Sequence, residues 1–163
     1  MKLIERHDLD NAGEATLALG TFVSKLKFDA LPANVVEKAK ECVLDGLGCC
    51  LFGVTQPWTQ MIMDMAREQG GTPQATVPGT NFRTSVSNAA LIASTAGHGF
   101  ELDDIHVGAH LHPGSLTVPV ALAFGESRAG VDGKKFLTAV VAGYEAGLRT
   151  GLAATGSHFM RGF

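Results

Sequence analysis

The sequence predicts an all-α fold, a compact domain of five to seven helices with little strand. Apolar residues recur at three- and four-residue spacing along most of the chain, which is the period of an amphipathic helix. Alanine and glycine fill many of the remaining positions, which favours close packing of helices. The 163 residues fit one domain, and 45% of them are hydrophobic against 18% charged. This composition predicts much buried surface, including a subunit or domain interface.

Six segments carry the helical pattern. Prolines stand near the start of two of them, where a missing N–H is tolerated. Between the third and fourth segments, a turn-rich stretch around Pro78-Gly79 predicts a short strand pair. The segments are 14–26, 32–53, 57–66, 86–97, 116–127 and 134–152.

Two glycines lie inside the second predicted helix. Gly46 and Gly48 each cost about 1 kcal/mol of helix stability relative to alanine. Such a cost is acceptable where another helix packs very closely. We therefore expect a close helix contact at both positions.

Charge and cysteine content exclude several function classes. The net charge is −3 and no basic face is interleaved with aromatic residues, which argues against a nucleic-acid partner. No uninterrupted apolar run reaches membrane-spanning length, so no membrane partner is expected. The three cysteines, Cys42, Cys49 and Cys50, lie in one predicted helix and are poorly placed to bridge each other. They predict reduced thiols and a cytoplasmic protein.

The chemistry-bearing residues concentrate between residues 98 and 112. Four of the six histidines fall in this window, together with three carboxylates. No other window gathers groups that transfer protons near neutral pH. The residues are His98, Glu101, Asp103, Asp104, His106, His110 and His112.

The spacing of these residues is compatible with two kinds of functional site. A helix running through it would place His98, Glu101 and Asp104 on one face, where a carboxylate orients an imidazole. The plainer alternative is an acidic helix end on the surface. A second possibility is a metal site built from His106, His110 and His112. Gly108 and Pro113 interrupt a helix through those three histidines, and we expect no metal.

The segment His112-Pro113-Gly114-Ser115 predicts a rigid turn ahead of a helix, with Ser115 as the cap. A histidine there lies near a helix N-terminus, which favours a bound anion such as a carboxylate. The alternative is an ordinary loop histidine. Arg149 and Arg161 are candidates to hold a carboxylate through a bidentate guanidinium, although both residues are more often plain surface charges.

The run from Ala96 to Asp104, with His112-Pro113-Gly114-Ser115 and Val118-Pro119 after it, resembles the MmgE/PrpD family. That family includes 2-methylcitrate dehydratase, cis-aconitate decarboxylase and iminodisuccinate epimerase. Further similar segments cover nearly the whole chain: Leu31-Pro32, Asp45-Gly-Leu-Gly-Cys49, Asn88-Ala89-Ala90-Leu91 and Gly143-Tyr144-Glu145 with Arg149.

The resemblance implies a helical domain that carries a dimer interface, followed by a smaller α+β domain that closes over the active site. Family enzymes are much longer than this chain. We therefore expect residues 1–163 to form a single helical domain, the N-terminal part of a longer two-domain protein. The missing α+β domain, or a partner subunit, would complete the site, and a homodimer through the helical faces is expected.

The resemblance also assigns roles to residues. Asp103 and Asp104 match the paired aspartates of the family, and His112 matches the histidine that exchanges a proton with substrate. Glu101 stands where members commonly have aspartate, and Ile105 where many have threonine. The expected catalytic residues are thus His112, Asp104, Asp103 and Glu101. The candidates for substrate binding are Arg149, His106 and His98.

These roles imply a lyase of small di- and tricarboxylates that needs no cofactor, acting as 2-methylcitrate dehydratase does by proton abstraction and elimination. A decarboxylase of the cis-aconitate type or an epimerase is the first alternative, because these reactions share one intermediate. The second is a non-catalytic dimerisation module or one half of a split enzyme. We do not expect catalysis from this chain alone, because a site that excludes water needs more surrounding protein than these residues supply.

Overall fold

Six α-helices and one β-hairpin make up the part of the chain that the computed structural model describes, residues 12–154 and 159–162. The all-α prediction is confirmed. Short 3-10 turns link some of the elements. The helices are α1 (Ala12–Lys25), α2 (Ala33–Gly53), α3 (Pro57–Gln69), α4 (Val86–His98), α5 (Pro113–Glu126) and α6 (Gly133–Ala154), and the strands are β1 (Ala75–Thr76) and β2 (Arg83–Thr84).

Local sequence explains where several helices begin. The Ser85 side chain caps α4 by accepting a hydrogen bond from the backbone N–H of Asn88 at 3.3 Å. The Asp132 carboxylate accepts from the N–H of Lys135 at 2.8 Å and so caps α6. Pro57 and Pro113 each occupy the first turn of their helix, where no N–H is needed.

The predicted strand pair is confirmed as an antiparallel hairpin. Ala75 pairs with Thr84, and Thr76 pairs with Arg83. The Arg83 guanidinium contacts the Glu126 carboxylate, which also accepts hydrogen bonds from the backbone and side chain of Thr76. This contact fastens the hairpin to the end of α5.

Helix α4 lies at the centre of the packing and contacts α2, α3 and α5, while α6 packs on α5 and α2. The inner face of α4 is built from small residues and Ile92, which is fully buried. A Cβ at Gly53 of α2 would lie 1.8 Å from the carbonyl oxygen of Ala96. The two helices therefore approach so closely that only glycine fits at this point.

The two glycines singled out in α2 behave differently. Gly46 lies against Val118 of α5, so the predicted close contact is confirmed there. A Cβ at Gly48 would meet nothing within 4 Å, so the expectation of a close contact was wrong at this position. Helical spacing explains the difference, because residues two positions apart face different sides of a helix.

Among the described residues, no helix combines the length and the apolar character needed to cross a membrane.

Candidate active site

The chain between α4 and α5 forms an irregular loop, so the predicted helix face carrying His98, Glu101 and Asp104 is wrong. Helix α4 ends at His98, and Glu101 has a φ of 55°, in the left-handed region. A helix cannot continue through such a residue. The loop then closes through a backbone bridge between His106 and Leu111, with a 3-10 turn at Val107–Ala109 inside it.

Asp103 lies between two histidines from opposite ends of this loop. Its side chain is 1% exposed, and its Oδ1 lies 3.2 Å from the Nδ1 of both His98 and His112. The two imidazole rings are 4.6 Å apart between centroids. A buried carboxylate needs such partners, because an unpaired charge is costly away from water. We call His98, Asp103 and His112 the histidine–aspartate cluster.

The two imidazoles differ in their contact with water. The His98 side chain is 44% exposed, whereas that of His112 is 22% exposed. The His112 Nδ1 atom itself is buried and makes no well-directed hydrogen bond, although Asp103 lies within ion-pair distance. The His112 Nδ1 therefore faces the Asp103 carboxylate without forming a hydrogen bond to it.

Asp104 faces away from the cluster and holds the turn that carries His112. One carboxylate oxygen accepts the backbone N–H of Gly114 at 2.8 Å, and the other accepts the Tyr144 hydroxyl at 2.8 Å. A Cβ at Gly114 would lie 2.5 Å from that carboxylate, so glycine is required there. Sequence spacing left open which aspartate partners His112, and the geometry brings Asp103 to it.

Tyr144 was missed as a site residue by sequence reasoning. It lies on α6, forty positions from Asp104, and no local motif links the two. Burial, the bond to Asp104 and a contact with Cys42 raise the pKa of its phenol above the ordinary value. The available signal was that it is the single tyrosine of the chain, on a helix otherwise rich in small residues.

The turn at His112 differs from its prediction in one respect. Helix α5 begins at Pro113 with His112 in the capping position, and Ser115 already lies inside the first turn. Its hydroxyl donates to the carbonyl of His112 at 3.2 Å and caps no N–H. Pro113 fixes φ two residues before the expected cap Ser115, and this sets the helix start.

The other predicted residues lie outside the cluster. Glu101 is 74% exposed, and its carboxylate approaches the His98 Nε2 only to 3.9 Å. The His106 Nδ1 accepts the N–H of Ala109 within the 3-10 turn. His110 is exposed and adopts a φ of 47°. The structure therefore does not gather His106, His110 and His112 into one ligand set.

Arg149 is paired within its own helix. Its guanidinium binds the Glu145 carboxylate at 2.7 Å and lies over the Phe22 ring, and its side chain is 62% exposed. Arg161, in the 3-10 turn Phe159–Arg161, is exposed as well. The structure brings neither arginine to the histidine–aspartate cluster.

An apolar cavity of about 360 Å³ lies beside the loop between α4 and α5. The Phe100 ring stacks obliquely on Phe52 at 4.6 Å and forms part of its wall. Burial raises the pKa of Cys49, which also lines the cavity. The remaining lining residues are Asp45, Gly48 and Leu102.

Residues 17–161 match the family model of the MmgE/PrpD N-terminal domain. The chain belongs to the MmgE/PrpD family. It is 32% identical over 154 residues to the cis-aconitate decarboxylase-like protein oryM of Aspergillus oryzae (strain ATCC 42149 / RIB 40), which covers 91% of this chain. It is 31% identical over 148 residues to the cis-aconitate decarboxylase of Aspergillus terreus, which covers 85% of this chain.

The chain spans only part of these MmgE/PrpD relatives. The matched region covers 32% of the Aspergillus oryzae protein and 29% of the Aspergillus terreus decarboxylase. The histidine–aspartate cluster and the Asp104–Tyr144 pair both lie inside the matched family domain, residues 17–161.

Proposed function

We propose that this domain supplies the acid–base part of a lyase site for small di- and tricarboxylates. The observation that carries the proposal is the buried Asp103 carboxylate lying 3.2 Å from both His98 and His112. A negative charge beside Nδ1 favours a proton on that nitrogen of His112, which leaves Nε2 to exchange a proton with substrate. The position of the cluster within an MmgE/PrpD domain supports this role.

Decarboxylation is the reaction we favour, because both relatives have names that refer to cis-aconitate decarboxylase. In that reaction the bond from carbon to a carboxylate breaks and CO2 leaves. The electron pair stays on the substrate, and protonated His112 delivers the proton to carbon. Elimination of water, as in 2-methylcitrate dehydratase, and epimerisation use the same histidine first as a base.

The roles of the neighbouring residues follow from their contacts. We propose Asp103 as the residue that positions His112, and Asp104 as the residue that positions its turn through Gly114 and Tyr144. Glu101 is exposed at the rim of the loop, where it can line the substrate site. No organic cofactor is required for these proton transfers.

We further propose that a second body of protein closes the site. His98 is open to solvent on one side of the cluster, and the matched relatives are about three times as long as this region. An α+β domain or a partner subunit would exclude water there and supply groups that bind the substrate carboxylates. The unpaired cysteines and the reaction class fit a cytoplasmic protein.

Proton transfer between His112 and a carbon atom of the substrate is the step that tests the proposal. The protein is purified together with the second body proposed to close the site and is incubated in D2O with cis-aconitate, citrate and 2-methylcitrate, and deuterium at carbon and loss of CO2 are followed by NMR and mass spectrometry. We expect exchange or turnover with at least one substrate, and at least a hundredfold loss in His112→Asn. The matched control His110→Asn should retain activity. Equal rates in His112→Asn and its parent would refute the role of His112.

A non-catalytic dimerisation module is the second candidate, and one surface favours it. Leu116, Val120 and Phe124 recur every four residues on α5, and all three are at least 43% exposed. Such an apolar stripe is typical of a helix that packs on a partner. We propose that it contributes to a homodimer.

Sedimentation tests that homodimer. We expect a dimer at micromolar concentration and a monomer for Val120→Asp, with Leu17→Asp as a control at an exposed apolar position of α1. A monomeric parent protein would count against the interface.

A further inference from the structure

The histidine–aspartate cluster offers three donor atoms to a single point. One ring nitrogen of His98, one ring nitrogen of His112 and a carboxylate oxygen of Asp103 all lie within 4.8 Å of one another. Both nitrogen-to-oxygen distances are 3.2 Å. Ligands about 2.0–2.1 Å from a tetrahedral zinc ion are themselves about 3.3 Å apart. The two histidine–carboxylate distances thus already suit a common ion.

From this geometry we propose that His98, Asp103 and His112 form a binding site for a divalent transition-metal ion of the zinc type. Two imidazole nitrogens and one carboxylate oxygen are a donor set that zinc accepts, with a fourth position left for water. Magnesium and calcium prefer all-oxygen sets, so the site should discriminate against them.

The unused bonding capacity of His112 is a second, independent argument. Its Nδ1 is buried, faces Asp103 and makes no directed hydrogen bond. A buried polar nitrogen without a partner costs free energy, which a bound ion would recover. The ion would also neutralise the buried Asp103 carboxylate. The half-exposed His98 ring, at the last residue of α4, can adjust to an ion from its solvent side.

This ligand set differs from the one that spacing suggested. The histidines His106 and His110 are nearer to His112 in sequence than His98 is, yet neither belongs to the group of converging donors. The loop reversal between α4 and α5 brings the distant His98 to His112. An ion at this site would occupy the His112 nitrogen that faces Asp103. We therefore expect a bound ion to oppose the proton transfer proposed for His112.

Metal binding is measured on the purified 163-residue chain without a histidine tag and without substrate. Zn2+ is titrated by calorimetry, and Co2+ serves as a probe because its absorption spectrum reports the coordination geometry. The variants His98→Asn and His112→Asn keep an amide near Asp103 but remove the ligand nitrogen. The variants His106→Asn and His110→Asn are the matched controls, and circular dichroism checks that every variant folds.

We expect one Zn2+ per chain and a tetrahedral Co2+ spectrum, with no response to Mg2+. His98→Asn and His112→Asn should each weaken Zn2+ binding by at least about tenfold, whereas the controls should bind as the parent does. Absence of stoichiometric binding would overturn the proposal. So would loss of binding in His106→Asn or His110→Asn with His98→Asn unaffected. Because no substrate is present, neither outcome depends on the proposed lyase activity.

Discussion

The Tyr144 hydroxyl donates a hydrogen bond of 2.8 Å to Asp104, joining the middle of α6 to the loop that precedes α5. The other oxygen of the same carboxylate holds the backbone N–H of Gly114. The turn that carries His112 is thereby fixed by a residue ahead of it and by a helix that follows it. Asp103, one position earlier in the chain, contacts the two histidines instead.

Removal of each aspartate should have a different effect on stability. Asp104→Ala leaves the N–H of Gly114 and the hydroxyl of Tyr144 without an acceptor, so we expect a loss of about 2–4 kcal/mol in the free energy of unfolding. Asp103→Ala should cost less, because His98 can turn to water. Urea denaturation of both variants provides the comparison. A larger loss in Asp103→Ala would show that the cluster, rather than the Asp104 contacts, anchors the loop.

The phenol of Tyr144 should resist ionisation in the folded protein. Burial, chiefly, and the bond to Asp104 raise its pKa above the ordinary value of about 10. Since this is the single tyrosine of the chain, phenolate absorbance reports it alone. We expect no phenolate signal near pH 10 until the protein unfolds. An absorbance step at pH 10 in native protein would contradict the buried bond.

The same shift predicts how stability changes with pH. Because the folded-state pKa of Tyr144 lies above the unfolded one, its contribution is fully present below about pH 10. Above that pH the contribution falls, since the unfolded chain releases a proton that the folded protein retains. Tyr144→Phe should remove this part of the alkaline decline, measured as the difference in unfolding free energy between pH 9 and pH 11. Identical slopes in the variant and its parent would argue against it.

Two glycines of α2 should respond in opposite ways to alanine. In Gly53→Ala the new methyl group meets the backbone of Ala96 at 1.8 Å, so we expect a loss of more than about 3 kcal/mol or failure to fold. In Gly48→Ala the methyl group meets nothing within 4 Å, and better helix propensity should add about 0.5–1 kcal/mol. Thermal melts compare the stability of the two variants with that of the parent protein. Equal changes in melting temperature would disprove the close approach of α2 to α4 at Gly53.

The three thiols should react in order of exposure. Burial raises the pKa of Cys50 to about 11, and its Sγ donates to the carbonyl of Ala93. Cys42 is partly exposed, although burial raises its pKa as well. With an alkylating reagent at pH 8, mass spectrometry should find Cys42 modified first and Cys50 only after unfolding. Early modification of Cys50 would mean that α2 opens locally.

The helices could be predicted from sequence because their signals are local. Apolar spacing, Pro57 and the turn at Pro78-Gly79 act within a few residues, and the structure confirms those elements. The loop of the candidate site could not be predicted in this way. The left-handed backbone of Glu101 and the bond between Asp104 and Tyr144 depend on how distant helices pack. Spacing therefore drew attention to the window in which His98, Asp103 and His112 meet, but the helix face that it allowed, with His98, Glu101 and Asp104, does not form.

The hydrogen bond between Asp104 and Tyr144 makes the candidate site depend on the docking of α6. A folding intermediate with α4 and α5 formed but α6 undocked would already contain every residue of the histidine–aspartate cluster. It would nevertheless lack the hydroxyl that holds Asp104 from the far side. The turn that carries His112 would then keep the contact between Asp104 and the Gly114 N–H but lose the one that α6 supplies. A chain without α6 would thus hold all three side chains of the cluster on a turn with one anchor in place of two.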